Sequence, residues 1–277
     1  MSIPTPSLSH LTAADYRHVY EPAEDTFILL DALEQDQAAL RGEEPFRSHQ
    51  SGTVASTNAE DGLPEGQALK KRARLCVEIG SGSGCVSAFI GKILGEGRAG
   101  IISFDINPRA LDCTQRTGKA NEVHLEPVQA SMLSSLRIRS SRTRSPGLSA
   151  TDVDTAGLVD LLVFNPPYVP TPEEEEAEAQ RAGGIAGSWA GGLTGTRLVD
   201  ELIDGAGNVA SEEDGEAPAR IEAFLSPGGA FYLVAIRQND PPALVERLRR
   251  RGLDAEIVLQ RRAGREHLFI IRAINKK

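Results

Sequence analysis

Two periods of apolar residues alternate along this chain. Short runs at residues 74–79, 99–104, 123–129, 158–164, 230–236, 253–260 and 267–272 have the length of strands. The runs at 158–164 and 230–236 are so rich in Val, Leu, Ile and Phe that they predict strands covered on both faces. Between the runs lie stretches with apolar residues at helical spacing. Phe27, Ile28, Leu30 and Leu33 predict a helix over 22–40, and Val86, Phe89, Ile90, Ile93 and Leu94 predict a second. Further helices follow from Pro108 through Asn121, around Leu198 to Ile203, over 221–225 and from Pro241 to Gly252. Pro22 suits a first helical turn, and the acids after it suit the positive end of the helix dipole. There is no internal repeat. Strands alternating with helices imply an α/β fold: a largely parallel sheet covered by helices on both faces.

Polar stretches interrupt this pattern. Residues 1–18 are Pro- and Ser-rich and predict a flexible lead-in. Low-complexity insertions near 42–71, 137–157 and 205–219 lack apolar periodicity, which leaves one domain over 19–277. The chain's 277 residues, 40% of them hydrophobic, suffice for a full core. A net charge of −9 supplies no field that would draw the protein to nucleic acid or anionic membrane, so a protein or small-molecule substrate fits better. Cys76, Cys85 and Cys113 fall in or beside predicted core elements, without CxxC spacing or an even count. They read as buried small hydrophobes in a reducing compartment, and no metal site is read in this chain. The N-terminus has no apolar core of a leader, and no window is long enough to span a bilayer. The expectation is a soluble protein of the cytoplasm or nucleus that binds no membrane.

Candidate chemistry collects where predicted strands end. The first strand runs into Gly80-Ser81-Gly82-Ser83-Gly84 and at once into a helix, so the backbone can approach a ligand and present amide N–H groups. The second strand ends at Asp105, where an acid can accept two hydrogen bonds from ribose hydroxyls. A glycine loop with a downstream acid suits a dinucleotide equally well. Glu78, just before the loop, argues otherwise: a carboxylate there repels a pyrophosphate and suits a cationic ligand. The strand at 158–164 ends in Asn165-Pro166-Pro167-Tyr168, where two prolines forbid both a continued ladder and a helix. Asn165, preceding a proline, is pushed toward extended angles. A planar polar group, a stiff carbonyl and an aromatic ring then share one rim, although any strand can be followed by such a loop. Tyr20, Glu21, Asp25 and Thr26 crowd one helix start, more polar side chains than capping needs.

The segments VYEPAEDTF (19–27), VEIGSGSG (77–84), FDINP (104–108), DLLVFNPPYVP (160–170), WAGG (189–192) and LSPGG (225–229) together carry a resemblance. The chain resembles the HemK-like branch of class I S-adenosylmethionine methyltransferases, and within it the eukaryotic release-factor glutamine methyltransferases. That resemblance implies a Rossmann-like, seven-stranded, mostly parallel sheet with S-adenosylmethionine as cofactor. It implies that Glu78 and the loop of Gly80, Gly82 and Gly84 hold the amino-acid part, Asp105 the ribose, and Ser131 and Met132 the adenine. Thr26 would lie near the methionine end, with Asn165 beside the cofactor. The implied substrate is the glutamine of a Gly-Gly-Gln motif in the class I translation release factor. The implied partner is a small zinc-binding activator subunit on an apolar sheet edge; Ile101, Ile102 and Phe104 can supply part of that surface, and equally they read as core residues. The chain departs from the family at Ala130-Ser131, where an acid is usual.

A glutamine amide is a poor nucleophile, so positioning must do most of the work. The Asn165 side-chain oxygen and the Pro166 carbonyl can each accept an amide N–H, with Pro167 stiffening the rim and Tyr168 packing on the amide plane. Adenine N6 and guanine N2 present the same planar NH2 group, so a nucleic-acid methyltransferase satisfies this motif too. The departure at 130–131 also admits a scaffold that binds cofactor without turnover.

Overall fold

The computed structural model describes residues 2–48, 71–130, 157–168, 195–205 and 220–277. Its elements are α1 (Glu24–Gln35), α2 (Gln37–Leu40), β1 (Leu75–Ile79), α3 (Cys85–Leu94), β2 (Gly100–Asp105), α4 (Pro108–Ala120), β3 (Glu126–Gln129) and β4 (Val159–Phe164). They continue with α5 (Arg197–Asp204), α6 (Ile221–Phe224), β5 (Leu225–Ile236), α7 (Pro241–Arg250), β6 (Leu253–Ala263) and β7 (Glu266–Asn275). Among the described residues seven strands form one sheet in the order β3-β2-β1-β4-β5-β7-β6. Pairs from β3 through β5 are parallel, and β7 alone runs against its neighbours β5 and β6. The strand order reverses between β1 and β4, which opens a crevice at their carboxyl ends.

Side-chain alternation splits the core in two. Leu161 and Val163 of β4 face a layer with Ile28, Leu29 and Leu33 of α1 and Phe89, Ile90 and Ile93 of α3. Leu162 and Phe164 face the opposite layer, with Val199 and Ile203 of α5 and Leu244 and Leu248 of α7. Period-two alternation of all-apolar residues in a central strand has this outcome. Each fully buried Leu, Ile or Phe contributes roughly 1.5–3 kcal/mol, so these layers hold the sheet rigid beneath its loops. Asp160 is the buried exception on β4. Its carboxylate accepts from the amides of Arg74 (2.8 Å) and Leu75 (3.1 Å) and the Ser226 hydroxyl (2.6 Å), and it pairs with Lys71 (2.6 Å). It therefore sets the entry of β1 against β4 and β5.

The structure departs from the sequence expectations at five places. The N-terminal stretch read as a flexible lead-in is laid along α4 and α1. Ser7 and Asn121 exchange two hydrogen bonds (2.7 and 2.9 Å), Asp15 pairs with Arg116 (2.5 Å), and the Ile3 amide donates to Glu34 (2.6 Å). Leu11 and Val19 bury themselves against Ala110 and Cys113. A few apolar side chains and paired backbone groups outweigh a polar composition.

The helix expected over 22–40 breaks at Asp36. The Asp36 carboxylate turns inward to accept from Arg272 (2.6 Å) and Tyr232 (2.6 Å). The insertion placed near 42–71 begins later than its composition suggests, since Phe46 covers the Arg272 guanidinium at 5.1 Å and the Arg47 carbonyl accepts from it. Residues 49–70 and nearly all of the other two insertions lie outside the described residues.

Ser226-Pro227-Gly228-Gly229, which separates the helix expected over 221–225 from the strand expected at 230–236, lies within β5 as an irregularity: Val159 pairs with Leu225, but Leu161 pairs with Ala230. Gly229 is required there, because a Cβ would lie 2.8 Å from the Val159 carbonyl oxygen. Finally, Ile101 and Phe104 are core residues: Ile101 is buried in the layer of Phe89 and Ile93 of α3, and Phe104 in the opposite layer with Ile79 and Phe164. The sheet's two edges among the described residues are β3 and β6. Among the described residues no helix is long and apolar enough to cross a membrane.

Candidate active site

The carboxyl ends of β1, β2 and β4 and the first turn of α1 surround one cavity of about 470 Å³ at the point where the strand order reverses. Its walls include Thr26, Glu78, Gly80, Gly82, Asp105, Asn165, Pro166, Pro167 and Tyr168. Residues far apart in sequence meet here because parallel strands deliver all their ends to one side.

The glycine loop has a built geometry. Gly80 and Gly82 sit at φ +72° and +52°, and a Cβ on Gly80 would meet nothing within 4 Å. That stretch of backbone is open to a ligand. The Gly80 and Ser81 amides are held by the Phe104 carbonyl (2.8 and 3.0 Å), and the Gly82 amide donates to Asp105 Oδ2 (3.0 Å). Asp105 Oδ1 accepts from the Asn107 amide (2.9 Å), so this acid also shapes the loop. Burial raises the Asp105 pKa above the ordinary carboxylate range, against the backbone hydrogen bonds that lower it.

Glu78 is 4% exposed and closes the floor. Its Oε2 accepts from the Ser87 amide (2.9 Å) and the Ser87 hydroxyl, tying the start of α3 to β1. Burial pushes its carboxyl from the ordinary 4.5 up to about 8, against the two Ser87 donors.

Gly84 departs from its expected role as a ligand contact. It is absent from the cavity wall, and its Cβ would lie 2.7 Å from the Thr114 Cα. At φ +77° it lets α4 pack closely on α3, which is why a glycine is needed. Ser131 and Met132, expected at the adenine, lie outside the described residues. Their neighbour Ala130 lines the cavity, with its amide on the Asp105 carbonyl (3.1 Å).

The opposite wall is built on Asp25, a residue the sequence pattern singled out without giving it a role. Asp25 Oδ2 accepts from Asn165 Nδ2 (2.9 Å) and the Tyr168 hydroxyl (3.0 Å). Asp25 Oδ1 accepts from the Thr26 amide (2.7 Å) and the Tyr20 hydroxyl (3.3 Å). Burial, then the nearby Asp25 charge, raises the pKa of both phenols, so both are donors at neutral pH. Asn165 Oδ1 is buried and has no partner among the described residues. Buried polar atoms are rarely left so, and Asn165 is a residue of the cavity wall.

Asn239, just past β5, is a residue that the sequence pattern did not single out. Its side chain donates to the carbonyls of Tyr168 (3.0 Å) and Gly195 (3.4 Å) and accepts from the Ile236 amide (2.8 Å). It clamps the backbone where the Asn165–Tyr168 segment ends. Gly195 sits at φ +70°, and a Cβ there would fall 2.2 Å from the Tyr168 carbonyl oxygen. Gly195→Ala is expected to destabilise the fold by about 2–3 kcal/mol through left-handed strain and displacement of that carbonyl. A thermal midpoint equal to that of the parent would refute it.

No protein-family model matches the chain. It is 36% identical over 271 residues to the methyltransferase HEMK2 of Mus musculus, covering 98% of this chain and 96% of that protein. It is 32% identical over 277 residues to the eRF1 methyltransferase catalytic subunit mtq2 of Schizosaccharomyces pombe, covering 97% and 94%. Among solved structures, the E. cuniculi Mtq2–Trm112 complex, responsible for methylation of the eRF1 termination factor, aligns with a TM-score of 0.53. At 22% identity over 93% of this chain and 98% of that one, it shows the shared class I methyltransferase fold.

Proposed function

The chain belongs to the HEMK2/Mtq2 family of methyltransferases, and from that premise we propose that it methylates the side-chain nitrogen of the Gly-Gly-Gln glutamine in the class I translation release factor. The observation that carries this reading is the enclosed, unpartnered Oδ1 of Asn165, a residue of the cavity wall. An acceptor in that position selects an N–H donor and rejects a carbonyl. The Pro166 carbonyl, stiffened by Pro167, is the second acceptor. Holding both amide hydrogens orients the nitrogen toward the cavity and favours the positive charge that develops on it.

The lining fits S-adenosylmethionine: open glycine-loop backbone, the Asp105 carboxyl for hydroxyls, and Glu78 as a buried acid for a cation. When bound, that cofactor supplies an electrophilic methyl group on a sulfonium. Thr26, Glu78, Gly80, Gly82 and Asp105 would hold it, with Asn165 beside it on the cavity wall. Adenine N6 and guanine N2 are not favoured as acceptors, since the net charge of −9 opposes polyanion binding and the relatives named for a substrate act on eRF1. A scaffold without turnover is disfavoured by the complete Asn165–Tyr168 geometry. The activator subunit is placed at the β3 end of the sheet, where among the described residues β3 pairs only with β2.

Glu78 makes this reading sensitive to pH. With its pKa raised to about 8, it keeps its proton at pH 7 in the free protein. Its contribution to stability is therefore fully present below about pH 4.5 and is lost as pH rises through 8. A cationic ligand favours the carboxylate, so binding S-adenosylmethionine at pH 7 is expected to release about one proton. Calorimetry in two buffers of different ionisation enthalpy reads that proton, and Glu78→Gln should abolish its release. No difference between the buffers would refute the assignment.

The direct test is mass spectrometry of the release factor after incubation with this chain and the activator. A methyl group on the Gly-Gly-Gln glutamine is expected, and none on the Gln→Ala form. Equal modification of both would overturn the proposal.

A further inference from the structure

We propose that Asp25 is the positioning residue that decides which end of the Asn165 side chain faces the substrate, an inference that rests on the glutamine reading above. A carboxamide has nearly the same shape either way round, yet its two ends demand opposite partners. With Oδ1 forward, Asn165 selects an incoming N–H. With Nδ2 forward, it selects an incoming carbonyl and turns the substrate nitrogen away. The terminal torsion of Asn is soft and does not choose between them.

What stands behind the side chain makes the choice. Asp25 is 4% exposed, and a carboxylate only accepts. Its Oδ2 is 2.9 Å from Asn165 Nδ2, and reversing the amide would set oxygen against oxygen where water is excluded. The donors on Asp25 among the described residues are all neutral: the amide and hydroxyl of Thr26, the hydroxyls of Tyr20 and Tyr168, and Asn165 itself. Holding the nitrogen end backward is what leaves Oδ1 forward without a partner.

Asp25→Asn changes one atom and tests this arrangement. The Thr26 amide, at 2.7 Å from Oδ1, requires an oxygen at that position. The new NH2 must then occupy the place of Oδ2 and meet Asn165 donor to donor. Asn165 relieves the conflict by reversing, and the substrate amide is held the wrong way round.

In the complex with the activator, Asp25→Asn should lower kcat about 10²- to 10³-fold, as much as Asn165→Ala does, with KM for the release factor and S-adenosylmethionine affinity each within about threefold. In an Asn165→Ala background the same change should cost no more than about twofold, because the effect runs through Asn165. Unchanged kcat, full additivity with Asn165→Ala, or a loss explained by cofactor affinity would each overturn the proposal. A nitrogen-15 spectrum gives a readout independent of turnover. The Asn165 side-chain NH2 signal, assigned by its absence in Asn165→Ala, should be shifted downfield and move in Asp25→Asn; identical signals would also overturn the proposal. If the parent protein leaves the Gly-Gly-Gln glutamine unmodified, the functional reading fails while this spectrum still decides the orientation.

Discussion

Asn165→Ala is expected to lower methyl transfer to the Gly-Gly-Gln glutamine by about 10²- to 10³-fold while leaving S-adenosylmethionine affinity within a few-fold. The magnitude is that of losing one preorganised polar contact in a water-excluded site. Oδ1 is already enclosed, and its orientation is set by Asp25, so nothing has to reorganise when the substrate amide arrives. Alanine removes the acceptor and leaves the Asp25–Tyr168 hydrogen bond in place. The glycine loop, the Asp105 carboxyl and the Glu78 floor are untouched, which is why cofactor affinity should survive. Single-turnover mass spectrometry and binding calorimetry separate the two quantities. Equal loss of both would make Asn165 a cofactor residue first and would overturn the assignment. Retained turnover would remove the amide-acceptor reading altogether.

The second large effect concerns the scaffold. Arg272→Met is expected to destabilise the fold by about 3–5 kcal/mol, the range for breaking a buried charge network by deleting one partner. Arg272 on β7 is 1% exposed, and Asp36 is 6%. The guanidinium donates to Asp36 (2.6 Å), Glu256 (2.5 Å) and the Arg47 carbonyl, under the ring of Phe46. Methionine fills similar space but removes the cation that Asp36 and Glu256 share, leaving Asp36 buried with the neutral Tyr232 hydroxyl (2.6 Å). Asp36 ends α1, whose first turn carries Asp25 and Thr26, so the network also anchors the helix that shapes the site. Denaturant titration measures the loss, and adding Asp36→Asn with Glu256→Gln should recover much of it. A cost under about 1 kcal/mol would show that the burial is not felt.

Reading the sequence reached the fold because its signals are local. Apolar strands too short to be helices, glycines directly before a helical pattern and two prolines after a buried strand each carry information within about ten residues. Strand existence and the parallel character of the sheet follow from them. The lead-in, the edge of the insertion at 42–48 and the core status of Ile101 and Phe104 do not, since each depends on what packs against the segment. Composition cannot show that Phe46 finds a guanidinium to cover, or that both faces of β2 are packed into the core layers.

Within the site the division is sharper. The chain's own order specifies the residue types: a glycine loop after Glu78, Asp105 at the next strand end, and Asn165 before a proline pair. Tertiary structure assigned their duties. Gly84 serves helix packing, and Glu78 spends one oxygen on Ser87. Asp25, 140 residues from Asn165 in the chain, is what aims the Asn165 amide. Sequence by itself determined that a strand must stop at a rigid Asn-Pro-Pro-Tyr rim, because proline forbids both alternatives locally. Which way that rim's amide points was decided only when α1 came to lie across the end of β4, because a carboxamide has no preference of its own and takes its direction from the acceptor folded behind it.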